Sequence, residues 1–245
     1  MARTFELQRF EFESEGYRTL IYMKDDVPPD ERLLVFLEGD GRPWRAGIEP
    51  SSDPTTGSPL ALSLLMRTPG IAAYLSRPCY HRMAAERCTP DKWTSARYAE
   101  EVVLAMTATA REAARRANAQ ELVLIGYSGG GTLAILIAER LKSVAAVITI
   151  AANLDIETWT RHHGYLPLSQ SLNPARSRID HPWPEIHIAG KHDSVVPSAT
   201  TAAYFERYPA AKYWLLEEHT HVCCWLNDWP ALWGRIEAEL DAGDE

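Results

Sequence analysis

One short motif puts a serine where it could act as a nucleophile. The sequence Gly-Tyr-Ser-Gly-Gly at 126–130 follows the apolar run 122–125 and precedes the apolar stretch 132–138. A serine on so sharp a turn between a buried strand and a helix takes a strained backbone, and glycines let strand and helix pass closely. Because a bare Gly-x-Ser-x-Gly also arises by chance, the strand before it and the helix after it carry the interpretation. The pattern predicts a nucleophile elbow at Ser128.

Two loops further along the chain carry groups that could activate this serine. An active serine needs a base to take its proton and a carboxylate to orient that base. Asp193 follows the apolar run 186–189, and His219 and His221 follow the run 213–216. In an open parallel sheet such loops lie beyond the carboxyl ends of the strands, where sites form. The chain order predicts Ser128, Asp193 and His221, with His219 as the alternative base.

The elements that must position these residues alternate between strands and helices. Alternating polarity over 5–12 and 17–23 predicts an antiparallel hairpin at a sheet edge. Further strands are expected at 33–37, 71–75, 122–125, 145–150, 186–189 and 213–216, and helices at 60–67 and 95–117. Continuous apolar runs are typical of buried parallel strands. The sequence therefore predicts an α/β fold with a doubly wound, mostly parallel sheet and an antiparallel N-terminal hairpin.

Length and composition suit one domain. The chain has 245 residues, of which 46% are hydrophobic, so we expect a single domain over 1–245 with a large core. The segment 152–184 is long for a connection and rich in aromatic residues, which predicts a small cap-like insertion. Trp44, Tyr127 and Trp159 are candidates for a substrate pocket, although aromatic residues of a cap could equally serve only to pack it onto the sheet.

The charge argues against several classes of partner. A formal net charge of -8 without any cluster of lysines and arginines predicts no binding to nucleic acid or to an anionic membrane surface. A small, neutral or weakly charged substrate fits better. The adjacent His162 and His163 point in different directions on most backbones, and no zinc motif is present, so no metal and no organic cofactor is expected. The oligomeric state stays open.

The cysteines and the N-terminus bear on the compartment. No stretch is long enough for a transmembrane helix, and residues 1–6 lack the apolar core of a signal peptide, so the chain as written is expected to be cytoplasmic. Cys79 and Cys88 bracket a short loop. They are either free thiols in a reducing compartment or a disulfide in a periplasmic or secreted protein whose leader has been removed. Cys223 and Cys224 are expected to be packing residues.

The chain resembles the α/β-hydrolase family, in particular its small bacterial esterase-like and lipase-like members, from about Leu33 onward. The resemblance lies in the elbow at 126–130 and in a Gly-x-x-Asp-x-x-x-Pro segment at 190–197. It implies that Ser128 is the nucleophile, Asp193 the orienting acid and His221 the general base. His221 is preferred over His219 because 221–225 looks like the loop-to-helix entry that follows the catalytic histidine in such proteins.

The same resemblance implies an oxyanion hole. One donor would be the backbone N–H of Gly129, and the other would come from the loop after 33–37. Family members often carry His-Gly or a run of glycines there, whereas this chain reads Glu-Gly-Asp-Gly at 38–41. The backbone N–H of Asp40 would be the second donor. Its carboxylate must then point away, toward an arginine such as Arg42 or Arg45, because a carboxylate aimed at an oxyanion would oppose the reaction.

These features predict a serine hydrolase that forms an acyl-enzyme on Ser128, with a carboxylic ester as substrate. A thioesterase, an amidase or a lactonase would use the same residues and is an alternative. An alternative of another class is a catalytically silent protein that keeps the fold and binds a ligand under its cap, having lost a competent oxyanion hole at Asp40.

Overall fold

The computed structural model describes residues 6–24, 31–83 and 85–242. The chain opens with two strands, β1 (Leu7–Ser14) and β2 (Tyr17–Lys24), which pair antiparallel from Leu7 opposite Lys24 to Ser14 opposite Tyr17. Glu15 and Gly16 make the turn between them with φ of 54° and 74°. This is the predicted N-terminal hairpin.

The remaining elements alternate between strands and helices. In chain order they are β3 (Arg32–Leu37), β4 (Trp44–Arg45), β5 (Glu49–Pro50), α1 (Leu60–Leu65), β6 (Ala72–Leu75), α2 (Glu100–Ala117), β7 (Glu121–Tyr127), α3 (Gly129–Ala138), β8 (Val144–Ile150), α4 (Ile156–His163), β9 (Glu185–Gly190), α5 (Ala202–Arg207), β10 (Lys212–Leu216) and α6 (Trp225–Asp241). Short 3-10 turns lie at Pro90–Trp93, Pro174–Arg176 and Ser198–Thr201. β4 and β5 form a small hairpin of their own.

Within the described residues, eight strands form one sheet in the order β1-β2-β6-β3-β7-β8-β9-β10. β2 pairs antiparallel with β6, and every pair from β6 to β10 is parallel. After β3 the chain moves to one side to form β6 and then crosses to the other side to form β7. In open α/β sheets this change of direction leaves a crevice at the carboxyl ends of the strands, where ligands bind. Residues 38–41 and Ser128 both follow strands that flank this crevice.

Two apolar layers cover the two faces of the sheet. Along β3, Leu33, Val35 and Leu37 point into the layer that contains α2 and α3, whereas Leu34 and Phe36 point into the layer that contains α1 and α6. Successive side chains of a strand point to opposite faces, so a strand covered on both sides must be apolar throughout. The doubly wound sheet is therefore confirmed.

α2 begins later than its sequence pattern predicts. The alanine-rich pattern starts at residue 95, but the helix begins at Glu100, after Ala99 in an extended conformation. Residues 95–99 form a turn instead, and this turn buries the side chains of Arg97 and Tyr98 against the loop that follows β3. Ion pairing of a buried arginine has outweighed local helix propensity, which is a weak constraint.

The segment 152–184 contains α4 and the turn Pro174–Arg176. Leu154 and Ile156 are buried in the main core, and Leu168 and Leu172 pack against it, whereas Leu166 is 86% exposed. The segment thus lies on the body of the protein and presents part of its length to solvent. The single domain over 1–245 and the role of this segment as a cap stay predictions.

Both pairs of cysteines are bonded. Cys79 is joined to Cys88 across a Cα–Cα distance of 5.3 Å, and Cys223 is joined to its neighbour Cys224. The expectation that Cys223 and Cys224 only pack the interior is wrong, because they are bonded to each other and Cys223 is exposed. No helix of the three described ranges is long and apolar enough to cross a membrane.

Candidate active site

The elbow holds Ser128 in a strained conformation. Its φ of 53° and ψ of -123° lie outside the regions that L residues favour. Its N–H donates to the Ile150 carbonyl at 2.8 Å. A Cβ on Gly126 would stand 2.3 Å from the carbonyl oxygen of Gly130, and one on Gly130 would stand 2.2 Å from that of Leu37. Glycine is therefore required at both positions, because β7, α3 and β3 converge there.

The loop after β9 supplies a buried carboxylate. The Asp193 side chain has no exposure to solvent. Its Oδ1 accepts the N–H groups of Val195 at 2.8 Å and Val196 at 2.7 Å. Two backbone donors on one oxygen fix the carboxylate and leave Oδ2 free for another partner.

His221 connects this carboxylate to the serine. Its Nδ1 lies 2.8 Å from Asp193 Oδ2, and its Nε2 lies 3.0 Å from Ser128 Oγ. The carbonyl of His221 accepts the Tyr127 hydroxyl at 3.0 Å and the Trp225 indole N–H at 2.9 Å. The imidazole is thus held between acid and hydroxyl, with its main chain anchored. Three residues from separate loops meet in the order that a serine nucleophile requires.

His219 faces a different partner. Its Nε2 lies 3.2 Å from Asp228 Oδ2, and its ring lies 4.6 Å from that of Trp225. Its carbonyl accepts the N–H of His192 and comes so close to the end of β9 that a Cβ on Gly190 would stand 2.5 Å from the oxygen. The geometry thus favours His221 as the residue that contacts Ser128.

The carboxylate of Asp40 points to two buried arginines. Oδ1 accepts from Arg77 at 2.6 Å and Oδ2 from Arg97 at 2.7 Å, and the Tyr98 hydroxyl lies 2.8 Å and 2.7 Å from the two oxygens. Burial raises the pKa of the Asp40 carboxyl, but the charges of Arg97 and Arg77 outweigh burial and hold the pKa below its usual range. The group is therefore a carboxylate.

The expectation that Arg42 or Arg45 would pair with Asp40 is wrong. Gly41, with φ of 65°, turns the chain, and the N–H of Arg42 then donates to the Pro54 carbonyl at 2.7 Å. This directs the following residues toward the loop 51–56 and into β4. Arg77 and Arg97 lie 37 and 57 residues beyond Asp40 in the chain, so only the fold brings them to it.

The two predicted oxyanion donors lie on segments that touch. A Cβ on Gly129 would stand 2.0 Å from Asp40 Oδ1, and one on Gly39 would stand 3.2 Å from Ser128 Cβ. Gly129 is the first residue of α3, so its N–H has no acceptor within the helix. This arrangement suits stabilisation of a negative oxygen, although the assignment of Gly129 and Asp40 as donors stays a prediction.

Glu38 is a buried residue of this loop whose role the sequence did not reveal. It is 7% exposed and accepts the N–H of Ala61 at 3.1 Å and that of Gly39 at 3.3 Å, which ties the start of α1 to the loop. Burial raises the pKa of Glu38 to about 7 against the opposing effect of the backbone N–H groups. The only available signal was a carboxyl directly after a fully apolar strand.

The three predicted pocket residues lie in different surroundings. Trp44 is 42% exposed on β4, whereas Tyr127 is buried and donates to His221. The indole N–H of Trp159 donates to the Val195 carbonyl at 2.6 Å, and His163 Nε2 lies 2.9 Å from the same oxygen. α4 thus braces the loop that carries Asp193. The substrate pocket formed by Trp44, Tyr127 and Trp159 stays a prediction.

A separate cavity lies beside α1. Its volume is about 270 Å³, and it is lined by Leu7, Tyr22, Thr56, Pro59, Leu62, Tyr74 and His81. It includes none of the three predicted pocket residues. Across the residues that the structure describes, no three His, Cys, Asp or Glu side chains are grouped so that they could hold a metal ion.

A doubly wound sheet with a serine on a strand-to-helix turn, and an acid and a histidine on later strand-end loops, defines the α/β-hydrolase fold. Solved structures agree with this class. The esterase Pf2001 of Pyrococcus furiosus superposes with a TM-score of 0.69 at 15% identity, over 97% of this chain and 90% of that one. Est1E of Butyrivibrio proteoclasticus superposes with a TM-score of 0.64 at 13% identity, over 96% and 99%.

XC6422 of Xanthomonas campestris, described as an α/β serine hydrolase without a lid, superposes with a TM-score of 0.59 at 13% identity, over 97% of this chain and 94% of its own. No family model and no curated protein matches the sequence. At these identities the likeness establishes the fold, and the predicted α/β-hydrolase fold is confirmed.

Proposed function

We propose that the protein is a serine hydrolase that cleaves a carboxylic ester through an acyl-enzyme on Ser128. The observation that supports this most directly is the continuous relay from Asp193 Oδ2 to His221 Nδ1 at 2.8 Å and from His221 Nε2 to Ser128 Oγ at 3.0 Å. Both distances lie within the hydrogen-bond range that a general base needs. The esterases and serine hydrolases of the same fold agree with this function.

In the first half of the reaction His221 Nε2 takes the proton of Ser128 Oγ as that oxygen attacks the ester carbonyl carbon. The Asp193 carboxylate stabilises the imidazolium that forms and holds the ring in place. The negative oxygen of the tetrahedral intermediate faces the backbone N–H groups of Gly129 and Asp40. His221 then gives its proton to the departing alkoxide, and the acyl group stays on Ser128.

In the second half water replaces the alcohol. His221 takes a proton from the water as its oxygen attacks the acyl carbon, and the same donors stabilise the second tetrahedral intermediate. The intermediate collapses, the carboxylic acid leaves, and the proton on His221 returns to Ser128 Oγ. One complete cycle consumes one ester and one water, and it needs no oxidant or reductant.

We assign substrate selectivity to the surface around the turn that carries Ser128. The cap-like segment 152–184 reaches the acid loop through Trp159 and His163. A small ester held between this segment and Trp44 would place its acyl or alcohol part against aromatic side chains, which bind apolar groups well. A small, uncharged ester also agrees with the net charge of -8, which predicts no binding to nucleic acids.

Labelling with a fluorophosphonate tests the nucleophile without a guess at the substrate, because this probe reacts with a serine whose proton is drawn off by a base. Intact-mass and peptide analysis should find one adduct, on Ser128. Ser128→Ala should remove the adduct, whereas Ser95→Ala, which removes a hydroxyl that donates to Gln170, should keep it. An unlabelled folded protein would contradict the proposal and favour a silent ligand-binding protein.

A panel of chromogenic esters, with matched thioester, amide and lactone substrates, tests the leaving group. We expect the highest kcat/KM for an ester. Faster turnover of one of the other three classes would keep the relay but reassign the substrate.

A further inference from the structure

The Asp40 cluster holds more positive charge than its carboxylate needs. The side chains of Arg77 and Arg97 are 3% and 6% exposed, and both donate to this one carboxylate, whose exposure is 19%. One guanidinium would neutralise one carboxylate, so the cluster keeps an excess charge of about +1. Burying an unbalanced charge is costly. Such an arrangement calls for a role besides stability.

The excess charge lies next to the oxyanion position. A Cβ on Gly129 would stand 2.0 Å from Asp40 Oδ1 and 2.5 Å from the Tyr98 hydroxyl. The carboxylate therefore lies directly on the main chain of one expected donor, and its own residue supplies the other. A carboxylate here without counter-charges would repel the developing oxyanion in a site of low polarity.

The backbone of the same residue is also held. The Tyr80 hydroxyl donates to the Asp40 carbonyl at 3.0 Å, and Arg77 lies 3.2 Å from that hydroxyl. Cys79, between Arg77 and Tyr80, is joined to Cys88. On the other side, Arg97 Nε donates to the Thr94 carbonyl at 2.7 Å. The two arginines are thus anchored to separate segments of the chain, and both contact the loop that contains Asp40.

We propose that Arg77 and Arg97 are positioning residues of the oxyanion hole. They hold the Asp40 carboxylate against Gly129, which sets the spacing of the two donors, and they reverse the sign of the charge that the loop presents to the oxyanion. Neither arginine contacts the reacting atoms. This inference rests on the proposed serine hydrolase function and adds to it the reason why an aspartate is tolerated at position 40.

The first test compares kinetics of matched variants on a chromogenic ester. Arg97→Met removes one counter-charge and leaves Arg77 on the carboxylate. Because complete loss of one oxyanion donor lowers kcat about 10²–10³-fold, we expect a displaced donor to lower kcat roughly 10–100-fold with KM nearly unchanged. Arg97→Lys keeps the charge without the fork of donors and should recover part of kcat.

Arg140→Met is the control. Arg140 follows α3 at the end away from Ser128 and donates to Glu100 at 3.0 and 2.6 Å, so its loss removes an ion pair and should leave kcat within about twofold. A boronic acid, which forms an anionic tetrahedral adduct with an active serine, should lose affinity in Arg97→Met by the same factor as kcat/KM. Unchanged kcat in Arg97→Met, or an equal loss in Arg140→Met, would overturn the proposal.

The second test needs no activity. Gly129→Ala places a methyl group on the fixed carboxylate and should lower Tm by roughly 5 °C or more. Oδ1, the oxygen that this methyl group would meet, is held by Arg77. In the Arg77→Met protein Oδ1 can move aside, so the same change should lower Tm by about half as much or less. In the Arg140→Met protein it should lower Tm by the full amount.

The two tests separate the failure of this inference from failure of the proposed function. Additive losses of Tm in Gly129→Ala/Arg77→Met would show that Arg77 does not fix Asp40 on Gly129, whatever the activity. Absence of turnover and of the fluorophosphonate adduct in the wild type, together with non-additive losses, would overturn the function and keep the positioning. If Gly129→Ala does not fold, the kinetics of Arg97→Met against Arg97→Lys decide.

Discussion

The proposed site has a base side and an oxyanion side, and each contains an aspartate that follows a parallel strand. The side chain of Asp193 is fully buried, whereas that of Asp40 is 19% exposed. On the base side Asp193 follows β9 and contacts two backbone N–H groups and the imidazole of His221. On the oxyanion side Asp40 follows β3 and contacts Arg77 and Arg97. The two aspartates lie at the same edge of the sheet. One contacts backbone N–H groups and an imidazole, and the other contacts two guanidinium groups.

The difference teaches what each carboxylate must do. Asp193 contacts two backbone N–H groups and an imidazole, and in the proposed mechanism it stabilises the charge that forms on His221 during the reaction. The carboxylate of Asp40 is paired with Arg77 and Arg97, and in the proposed mechanism only the main-chain N–H of Asp40 faces the oxyanion. Partners in space, rather than residue type, separate an acting carboxylate from a structural one.

On the base side, the largest loss of activity is expected when the histidine is replaced. We expect His221→Ala to lower kcat roughly 10⁶-fold, because removal of the base from such a unit costs about as much as removal of the whole unit. His219→Ala removes the neighbouring imidazole, whose Nε2 lies 3.2 Å from Asp228 Oδ2, and should change kcat less than tenfold. Steady-state rates of both folded variants check this. A large loss confined to His219→Ala would transfer the base to that residue.

Exchange of each aspartate for asparagine should produce crossed effects. Asp193→Asn should lower kcat about 10⁴-fold and the free energy of unfolding by about 1–2 kcal/mol, since its partners are two backbone N–H groups and an imidazole. Asp40→Asn should lower kcat only roughly 10–100-fold but destabilise by about 3–5 kcal/mol, because two buried guanidinium groups lose their counter-charge.

Urea unfolding and ester kinetics on the same preparations measure both effects. If the two variants lost stability and activity in the same proportion, the distinction between the two sides would have no basis.

A milder change addresses the anchoring of the base. Tyr127→Phe removes one of the two donors to the His221 carbonyl and leaves the Trp225 donor in place. We expect kcat/KM to fall about 3–10-fold, which corresponds to about 1 kcal/mol. Tyr17→Phe, which removes a hydroxyl bonded to Glu101 at 3.3 Å, is the control and should leave kcat/KM unchanged. Equal rates for all three proteins would contradict the anchoring role.

The smallest effect on activity is expected at Glu38, where pH should act on stability. Its carboxyl has a pKa of about 7 in the folded protein, against 4.5 in the absence of burial. Between these values the folded state binds more protons, so the free energy of unfolding falls as pH rises from about 4.5 to 7, by on the order of 3 kcal/mol. Glu38→Gln keeps an acceptor for Ala61 and should remove this slope.

Urea unfolding at pH 5, 6 and 7.5 checks the prediction. The difference between wild type and Glu38→Gln should shift by on the order of 3 kcal/mol over this range, whereas Glu217→Gln, whose side chain is 66% exposed, should run parallel to wild type. A constant difference for Glu38→Gln would contradict the raised pKa.

Much of the site could be predicted because its signals are local. Ser128 stands between an apolar strand and a helix, and Asp193 and His221 each follow an apolar strand by a few residues. Strand ends of a parallel sheet share one edge, so chain order and topology suffice to bring such residues together. The oxyanion hole expected at the end of β3 stays a prediction.

The rest depended on contacts between distant segments. The sequence suggests Arg42 or Arg45 as the partner of Asp40, whereas the structure places Arg77 and Arg97 there, which no local pattern connects to position 40. The predicted start of α2 at residue 95 is wrong for the same reason. The helix begins at Glu100, because the ion pair of Arg97 overrides the helix propensity of residues 95–99. Helix propensity is local, whereas burial and ion pairing are tertiary.

The sequence by itself determined the α/β arrangement, the hairpin, the elbow and the chain order of the three residues, because strand periodicity and the steric demands of glycine act within a few residues. Only the tertiary structure decided that His221 rather than His219 contacts Ser128. It also decided that Tyr127 and Trp159 donate hydrogen bonds to loops of the site, and that two arginines pair with the Asp40 carboxylate. These choices depend on distances of about 3 Å between groups far apart in the chain, which packing of the whole domain sets.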